Sequence, residues 1–164
     1  MDVQGLKVGL LGLIDYNWIE TSDFDDKSFA LGDFIEKGRC LSKMLKEKGC
    51  DVVIALTHMK NLDDELLIAA ESDIDVVLGG HDHCYMINRN NEKLLLKSGT
   101  NFENFSSITI SVSTTPFEDE SAMPQEEDSR FFYFTKRKSN EYRDNYKFSL
   151  KRQQKYVNVV VTPV

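Results

Sequence analysis

Three short apolar runs, separated by two segments of helical pattern, constrain the fold of this chain more than any other feature. The runs cover residues 7–14, 51–56 and 74–78. Runs of this length that are apolar on both faces are typical of strands buried in a parallel sheet. The segments between them, 33–48 and 62–71, carry apolar residues at helical spacing, and Asp33 is placed to cap the first. This order of elements predicts an α/β fold with right-handed crossovers.

A different pattern follows residue 92. Strand-like segments occur without helices between them, which predicts antiparallel pairing; they cover residues 93–98, 106–112, 130–136 and 146–150. An acid-rich stretch with two prolines interrupts them and predicts a surface loop or linker. We therefore expect an α/β domain over 1–115, an acidic linker or loop over 116–129, and a basic extension of antiparallel strands over 130–164.

Composition narrows the classes of function. A formal net charge of -7 and a pI near 5.0 argue against a general nucleic-acid binder. No apolar run approaches the roughly 18 residues of a membrane span, and we expect no signal peptide and no membrane partner. Three cysteines without C-x-x-C spacing argue against a disulfide framework or a cysteine zinc site. These features predict a protein of the cytoplasm.

All three histidines directly follow predicted strands. His58 follows the second apolar run, and His81 and His83 follow the third, in the sequence Gly-Gly-His-Asp-His. The carboxyl ends of parallel strands meet at one edge of a sheet, and imidazole binds zinc, iron and similar divalent metals. The pattern predicts a metal site formed by His58, His81 and His83. Ordinary loop histidines, or a plain zinc-binding α/β domain, are the alternatives.

The residues around these histidines resemble a known family. The segment 80–83, Gly-His-Asp-His, is similar to the closing G-H-x-H motif of the calcineurin-like metallophosphoesterases, and His58 matches their single-histidine motif. Segments 5–13 and 97–102 resemble the 5′-nucleotidase branch. The resemblance covers residues 5 to 113, and it implies the C-terminal half of the catalytic domain, which is half of an α/β/β/α sandwich.

The resemblance implies a metal-dependent hydrolysis reaction. The parent enzyme would hydrolyse phosphate esters, with nucleotides as the first substrate class to consider. His58 and His81 would bind one metal ion and His83 the other. The paired ions, zinc, manganese or iron, would bind the substrate phosphate and activate water for in-line attack. The resemblance assigns no catalytic side chain to this chain beyond these ligands.

The earlier motifs of the family, D-x-H, G-D with a bridging aspartate, and G-N-H-[DE], have no match in this sequence. Asp33 follows a glycine, but it begins a predicted helix, so we interpret it as a helix cap. Three neutral ligands without an anionic bridge predict at most one tightly bound ion. We therefore expect a chain that is weakly active or inactive alone and that works with an N-terminal half outside it. A non-catalytic metal-binding or regulatory module derived from a phosphoesterase is the alternative.

Overall fold

The structure is a computed structural model that describes residues 1–3, 5–16, 32–90, 93–113, 131–132, 146–152 and 155–163. The described part contains two helices, α1 (Phe34–Glu47) and α2 (Asn61–Ala69). Its strands are β1 (Asp2–Val3), β2 (Leu6–Ile14), β3 (Val52–His58), β4 (Val76–Gly79), β5 (Tyr85–Asn90), β6 (Lys93–Ser98), β7 (Ser106–Ser113), β8 (Phe131–Phe132), β9 (Tyr146–Arg152) and β10 (Lys155–Pro163).

The larger sheet has six strands in the order β1-β2-β3-β4-β6-β5. Strand β3 runs parallel to both β2 and β4, which confirms the pairing predicted for the three apolar runs. Strand β6 was predicted to pair only antiparallel. It is antiparallel to β5 but parallel to β4, because the unpredicted strand β5 carries the chain back before β6 begins. The carboxyl ends of β2, β3, β4 and β6 consequently lie at one edge of the sheet.

The two helices begin in different ways. Asp33 Oδ1 accepts hydrogen bonds from the backbone N–H groups of Ile35 at 2.7 Å and Glu36 at 3.3 Å, which confirms the predicted cap of α1. Helix α2 begins after Lys60, whose side chain makes no capping bond. Neither of these described helices is long and apolar enough to cross a bilayer.

The larger sheet is covered on both faces. On one face the helices pack over a cluster of buried residues that includes Val53, Leu67 and Ile74. On the other face Ile110 of β7 packs with residues such as Val8 of β2. Apolar side chains on both faces explain why the strands form near-continuous apolar runs. The arrangement confirms the predicted α/β class and is consistent with half of a metallophosphoesterase sandwich.

A smaller antiparallel sheet has the strand order β8-β7-β10-β9. It includes three of the strands predicted without helices between them and adds β10, which was not predicted. Strand β7 of the predicted first domain thus shares a sheet with strands of the predicted extension. The boundaries themselves stay a prediction, and the acidic segment 116–129 lies outside the described residues.

One part of the larger sheet remains exposed on the face that β7 covers elsewhere. Strand alternation places Leu10 and Ile14 on the same face as Val8. Leu10 is 46% exposed, Leu56 of β3 is 48% exposed and Ile14 is 36% exposed. We call these three residues the apolar patch. It lies toward the carboxyl ends of β2 and β3, beside the end of β3 where His58 is located.

Candidate metal site

Two of the three predicted ligands lie against each other. His58 is the last residue of β3, and His81 comes two residues after the end of β4. Their ring centroids are 5.3 Å apart and their planes are nearly perpendicular, at 86°. Two strand ends therefore bring these imidazoles together at the carboxyl edge of the sheet.

Gly80 permits this approach. Its backbone N–H donates to the carbonyl oxygen of Thr57 at 3.0 Å, which ties the start of the loop after β4 to the end of β3. A Cβ atom added at Gly80 would lie 3.4 Å from His58 Nδ1, so the imidazole packs directly over the glycine backbone. A larger residue would press on the ring.

The loop that carries the other two histidines has an unusual backbone. His81 has φ 75° and His83 has φ 55°, both in the left-handed region that non-glycine residues rarely adopt. Such conformations cluster at functional sites and persist only where surrounding contacts hold them. The loop between β4 and β5 is therefore constrained by its neighbours.

The spacing of the two rings suits a shared ion. An ion bound tetrahedrally at about 2.0–2.1 Å from two imidazole nitrogens places the ring centroids about 5.2 Å apart. The observed separation of 5.3 Å is close to that value. Among the described residues, however, no group of three or more histidine, cysteine, aspartate or glutamate side chains could hold a metal ion. The centroid separation is compatible with two ligand positions of one site, and the ligand roles of His58, His81 and His83 stay predictions.

A cleft of about 520 Å³ opens beside the pair. Its lining comes from the carboxyl ends of the three central strands: Gly12, Leu13, Ile14, Leu56, Thr57, His58, Leu78, Gly79 and Gly80. Most of this lining is apolar or backbone. The cleft offers space for a ligand next to His58 but few polar groups of its own.

A buried lysine lies beneath the site. Lys97 Nζ donates to the carbonyl oxygen of Met59 at 2.8 Å and to Asp82 Oδ2 at 2.8 Å. Asp64 Oδ2 lies 2.9 Å from the same nitrogen as an ion pair that lacks hydrogen-bond alignment. The side chains of Lys97 and Asp64 are 2% and 0% exposed. We call Lys97, Asp64 and Asp82 the lysine network.

Electrostatic effects within the lysine network favour the charged forms of Lys97 and Asp82 but not of Asp64. Burial disfavours the charge on Lys97, but the carboxylates of Asp82 and Asp64 outweigh this and raise its pKa. Burial also opposes ionisation of Asp82, but the bond and charge of Lys97 lower the pKa of Asp82 overall. Burial raises the pKa of Asp64, although Thr57 and Lys97 both contact it. The ammonium of Lys97 is thus charged at neutral pH.

The lysine network was missed in the sequence analysis, although one signal pointed to it. Lys97 follows the apolar run Leu94-Leu95-Leu96 within a predicted strand, and a lysine is rarely buried unless it is paired. Its partners could not be identified, because Asp64 is one of several acids in α2. Asp82, between the two histidines of the loop, accepts a hydrogen bond from Lys97.

Substituting Gly79 by alanine should disturb this arrangement. An added Cβ would lie 2.7 Å from Asp64 Oδ2 and 2.8 Å from Lys97 Cε, and both groups are fixed by buried contacts. We expect the free energy of unfolding to fall by about 1–3 kcal/mol, as for other overpacked cores. Urea denaturation of Gly79→Ala tests this, with Gly12→Ala as control because no atom lies within 4 Å of a Cβ there. Equal stability of both variants would contradict it.

Comparison with known proteins gives one family match. Residues 5–85 match the family model described as calcineurin-like phosphoesterase. No curated protein and no solved structure matches the chain significantly. The matched segment contains β2, β3 and β4, the His58–His81 pair, His83 and most of the lysine network. The part of the chain that carries the histidines, residues 5–85, is thus similar to the calcineurin-like phosphoesterases, a family of metal-dependent phosphoester hydrolases.

Proposed function

We propose that this chain contributes one half of a metal-dependent site that hydrolyses phosphate esters, in the 5′-nucleotidase-like branch of the family. The observation that carries the proposal is the contact between His58 and His81 at the carboxyl edge of the sheet, inside the segment that matches the family. A structural role alone does not require two imidazoles at the spacing of shared metal ligands.

Individual residues of this chain would have defined roles in metal binding and in placing the substrate. His58 and His81 would hold a divalent ion, and His83 would contribute to a second. When bound, such an ion supplies Lewis acidity toward a phosphoryl oxygen. Gly79 leaves room for the lysine network and Gly80 lets His58 approach, and both line the cleft where the phosphate group would lie.

The anionic ligands would come from a second protein segment. A bridging carboxylate offsets the repulsion between two cations, and the described residues hold no cluster that supplies one with the two rings. The apolar patch next to His58 supports this part of the proposal, because Leu10 and Leu56 remain about half exposed on a face that is otherwise covered by β7. An N-terminal half of the domain would cover the patch and bring its carboxylates to the site.

A nucleotide is the substrate class that we propose first. Strand β6 runs parallel to β4, so the loop that follows β6 leaves the sheet at the same edge as the histidines. In that loop Phe102 is 87% exposed and has φ 58°. An exposed aromatic ring at this edge is suited to stack on a nucleobase. In a reconstituted enzyme, Phe102→Ala should raise KM for a nucleotide and leave KM for p-nitrophenyl phosphate unchanged.

Metal titration tests the proposal directly. We expect the isolated chain to bind about one Co²⁺ ion per monomer, with little hydrolysis of p-nitrophenyl phosphate in Mn²⁺. Addition of a polypeptide that carries the D-x-H and G-N-H-[DE] motifs should restore activity. Absence of metal binding would refute the proposed site. Two tightly bound ions in the isolated chain would refute the need for a second segment.

A non-catalytic metal-binding module remains the second candidate. It is favoured by the absence, among the described residues, of a ligand cluster larger than the histidine pair. The two functions differ in the reconstitution experiment: a binding module would hold its ion and stay inactive when the second segment is added. We further propose a cytoplasmic location, in keeping with the three unbridged cysteines. Imaging of a fluorescent fusion tests that location.

A further inference from the structure

One ammonium group contacts every segment that carries a predicted ligand. Lys97 Nζ bonds the carbonyl oxygen of Met59, the residue directly after His58. It also bonds the carboxylate of Asp82, the residue between His81 and His83. The end of β3 and the loop after β4 are therefore joined through a single nitrogen atom on β6.

Lys97 Nζ is also linked, through Asp64, to Thr57, the residue before His58. Thr57 Oγ1 donates to Asp64 Oδ1 at 2.6 Å, and Asp64 is the second carboxylate paired with Lys97. His58 is thus held on both sides, through Thr57 and through Met59. Asn61, at the start of α2, donates through its side-chain amide to Cys84 Sγ at 3.4 Å, directly after His83. The loop is thus tied to a helix end as well as to a strand.

We propose that Lys97 is a positioning residue that sets the spacing of the His58 and His81 rings and so prepares them to share a metal ion. The inference rests on the proposed function insofar as the rings are ligands. The left-handed φ angles of His81 and His83 need external contacts to persist. The Lys97–Asp82 bond is a side-chain contact that holds the residue between them.

Stability alone gives a weaker account of this lysine. A buried ion pair generally adds little net stability over apolar residues of similar size, since desolvation offsets the Coulomb attraction. A strand position among leucines would therefore accommodate an apolar residue. The ammonium group of Lys97 instead bonds both segments that carry histidines, the end of β3 and the loop after β4. This is a specific geometric role.

The test compares Lys97→Met with Lys46→Met in the full chain. Lys46 Nζ pairs with the buried carboxylate of Asp75 at 2.9 Å, near the start of β4 and so at the opposite end of the strands. Both variants break a buried lysine–aspartate pair, but only the first touches the histidine segments. Two quantities are measured: the nuclear Overhauser effect between the His58 and His81 rings without metal, and Co²⁺ affinity from its visible absorption.

We expect Lys97→Met to lose the ring-to-ring effect and to bind Co²⁺ about 10–100-fold more weakly, the loss typical of groups that orient metal ligands. Lys46→Met should keep the ring-to-ring effect and bind within about twofold of wild type. Equal behaviour of the two variants in both measurements would overturn the inference. If wild type binds no Co²⁺, the proposed function fails, and the ring-to-ring effect alone decides whether Lys97 positions the rings.

A second variant covers the case in which Lys97→Met does not fold. Asp82→Asn keeps the shape of a side chain that is 27% exposed and removes the charge that bonds Lys97. We expect circular dichroism to show a folded protein with a weakened ring-to-ring effect and weaker Co²⁺ binding. A folded Asp82→Asn that is unchanged in both measurements would overturn the inference.

Discussion

Substituting His58 or His81 by alanine should weaken Co²⁺ binding by this chain by about 100-fold or more. The two rings are 5.3 Å apart, so each variant removes one of the two closest candidate ligands of the proposed ion. Even the loss of a group that only orients a ligand costs about 10–100-fold in affinity, so the loss of a ligand itself should cost at least the upper value. Isothermal titration and the Co²⁺ absorption spectrum both measure this change.

His83→Ala serves as the matched control, because it removes an imidazole from the same loop. The family resemblance places His83 on the second ion, which the isolated chain is not expected to hold. We therefore expect Co²⁺ affinity to fall by less than about tenfold. A loss as large as that of His58→Ala would show that all three imidazoles bind one ion. Unchanged affinity in all three variants would refute the histidine site.

The parallel core could be predicted because its local signals agree with one another. Strand β6 has the same bounds as the predicted strand 93–98, and helix α1 lies within the predicted 33–48. Asp33 caps α1 as predicted, because an aspartate directly before an amphipathic segment can accept hydrogen bonds from the first backbone N–H groups of the helix. Buried strands and capped helices are thus determined by residues close in sequence.

Strand β5 could not be predicted from its own residue pattern. The segment Tyr-Met-Ile-Asn-Arg-Asn carries no clear alternation, and it forms a strand because β6 offers an edge for antiparallel pairing. The end of β5 also carries Asn88, whose side chain bonds Glu65 of α2 at 3.0 Å. Pairing with β6 and contact with α2, rather than alternation within the segment, define this strand, so a pattern search along the chain did not predict it.

The candidate site shows the same division. Its histidines were predicted because imidazoles after strand ends are conspicuous in sequence. The lysine network depends on the meeting of Lys97, Asp64 and Asp82 from three elements, which only the folded chain reveals. The candidate histidine ligands could therefore be predicted from the sequence, whereas the lysine network became apparent only from the structure.

Substituting Asp75 by alanine should lower the free energy of unfolding by about 3–5 kcal/mol, the cost of breaking a buried ion pair by removing one partner. The carboxylate is 1% exposed, and its Oδ2 accepts hydrogen bonds from Val53 N–H at 2.8 Å and from Lys46 Nζ at 2.9 Å. Alanine leaves a strand N–H and an ammonium without this acceptor. Urea denaturation at neutral pH measures the change.

Glu36→Ala is the control for Asp75→Ala, since it breaks an ion pair of the same type at the surface. Glu36 Oε1 lies 2.6 Å from a guanidinium nitrogen of Arg39, but the side chains of Glu36 and Arg39 are 64% and 48% exposed. Water replaces the lost contact, so the cost should not exceed about 1 kcal/mol. Asp75→Asn should lie between the two, because its amide oxygen can still accept from Val53 N–H. Equal costs for Asp75→Ala and Glu36→Ala would mean that burial adds nothing to this pair.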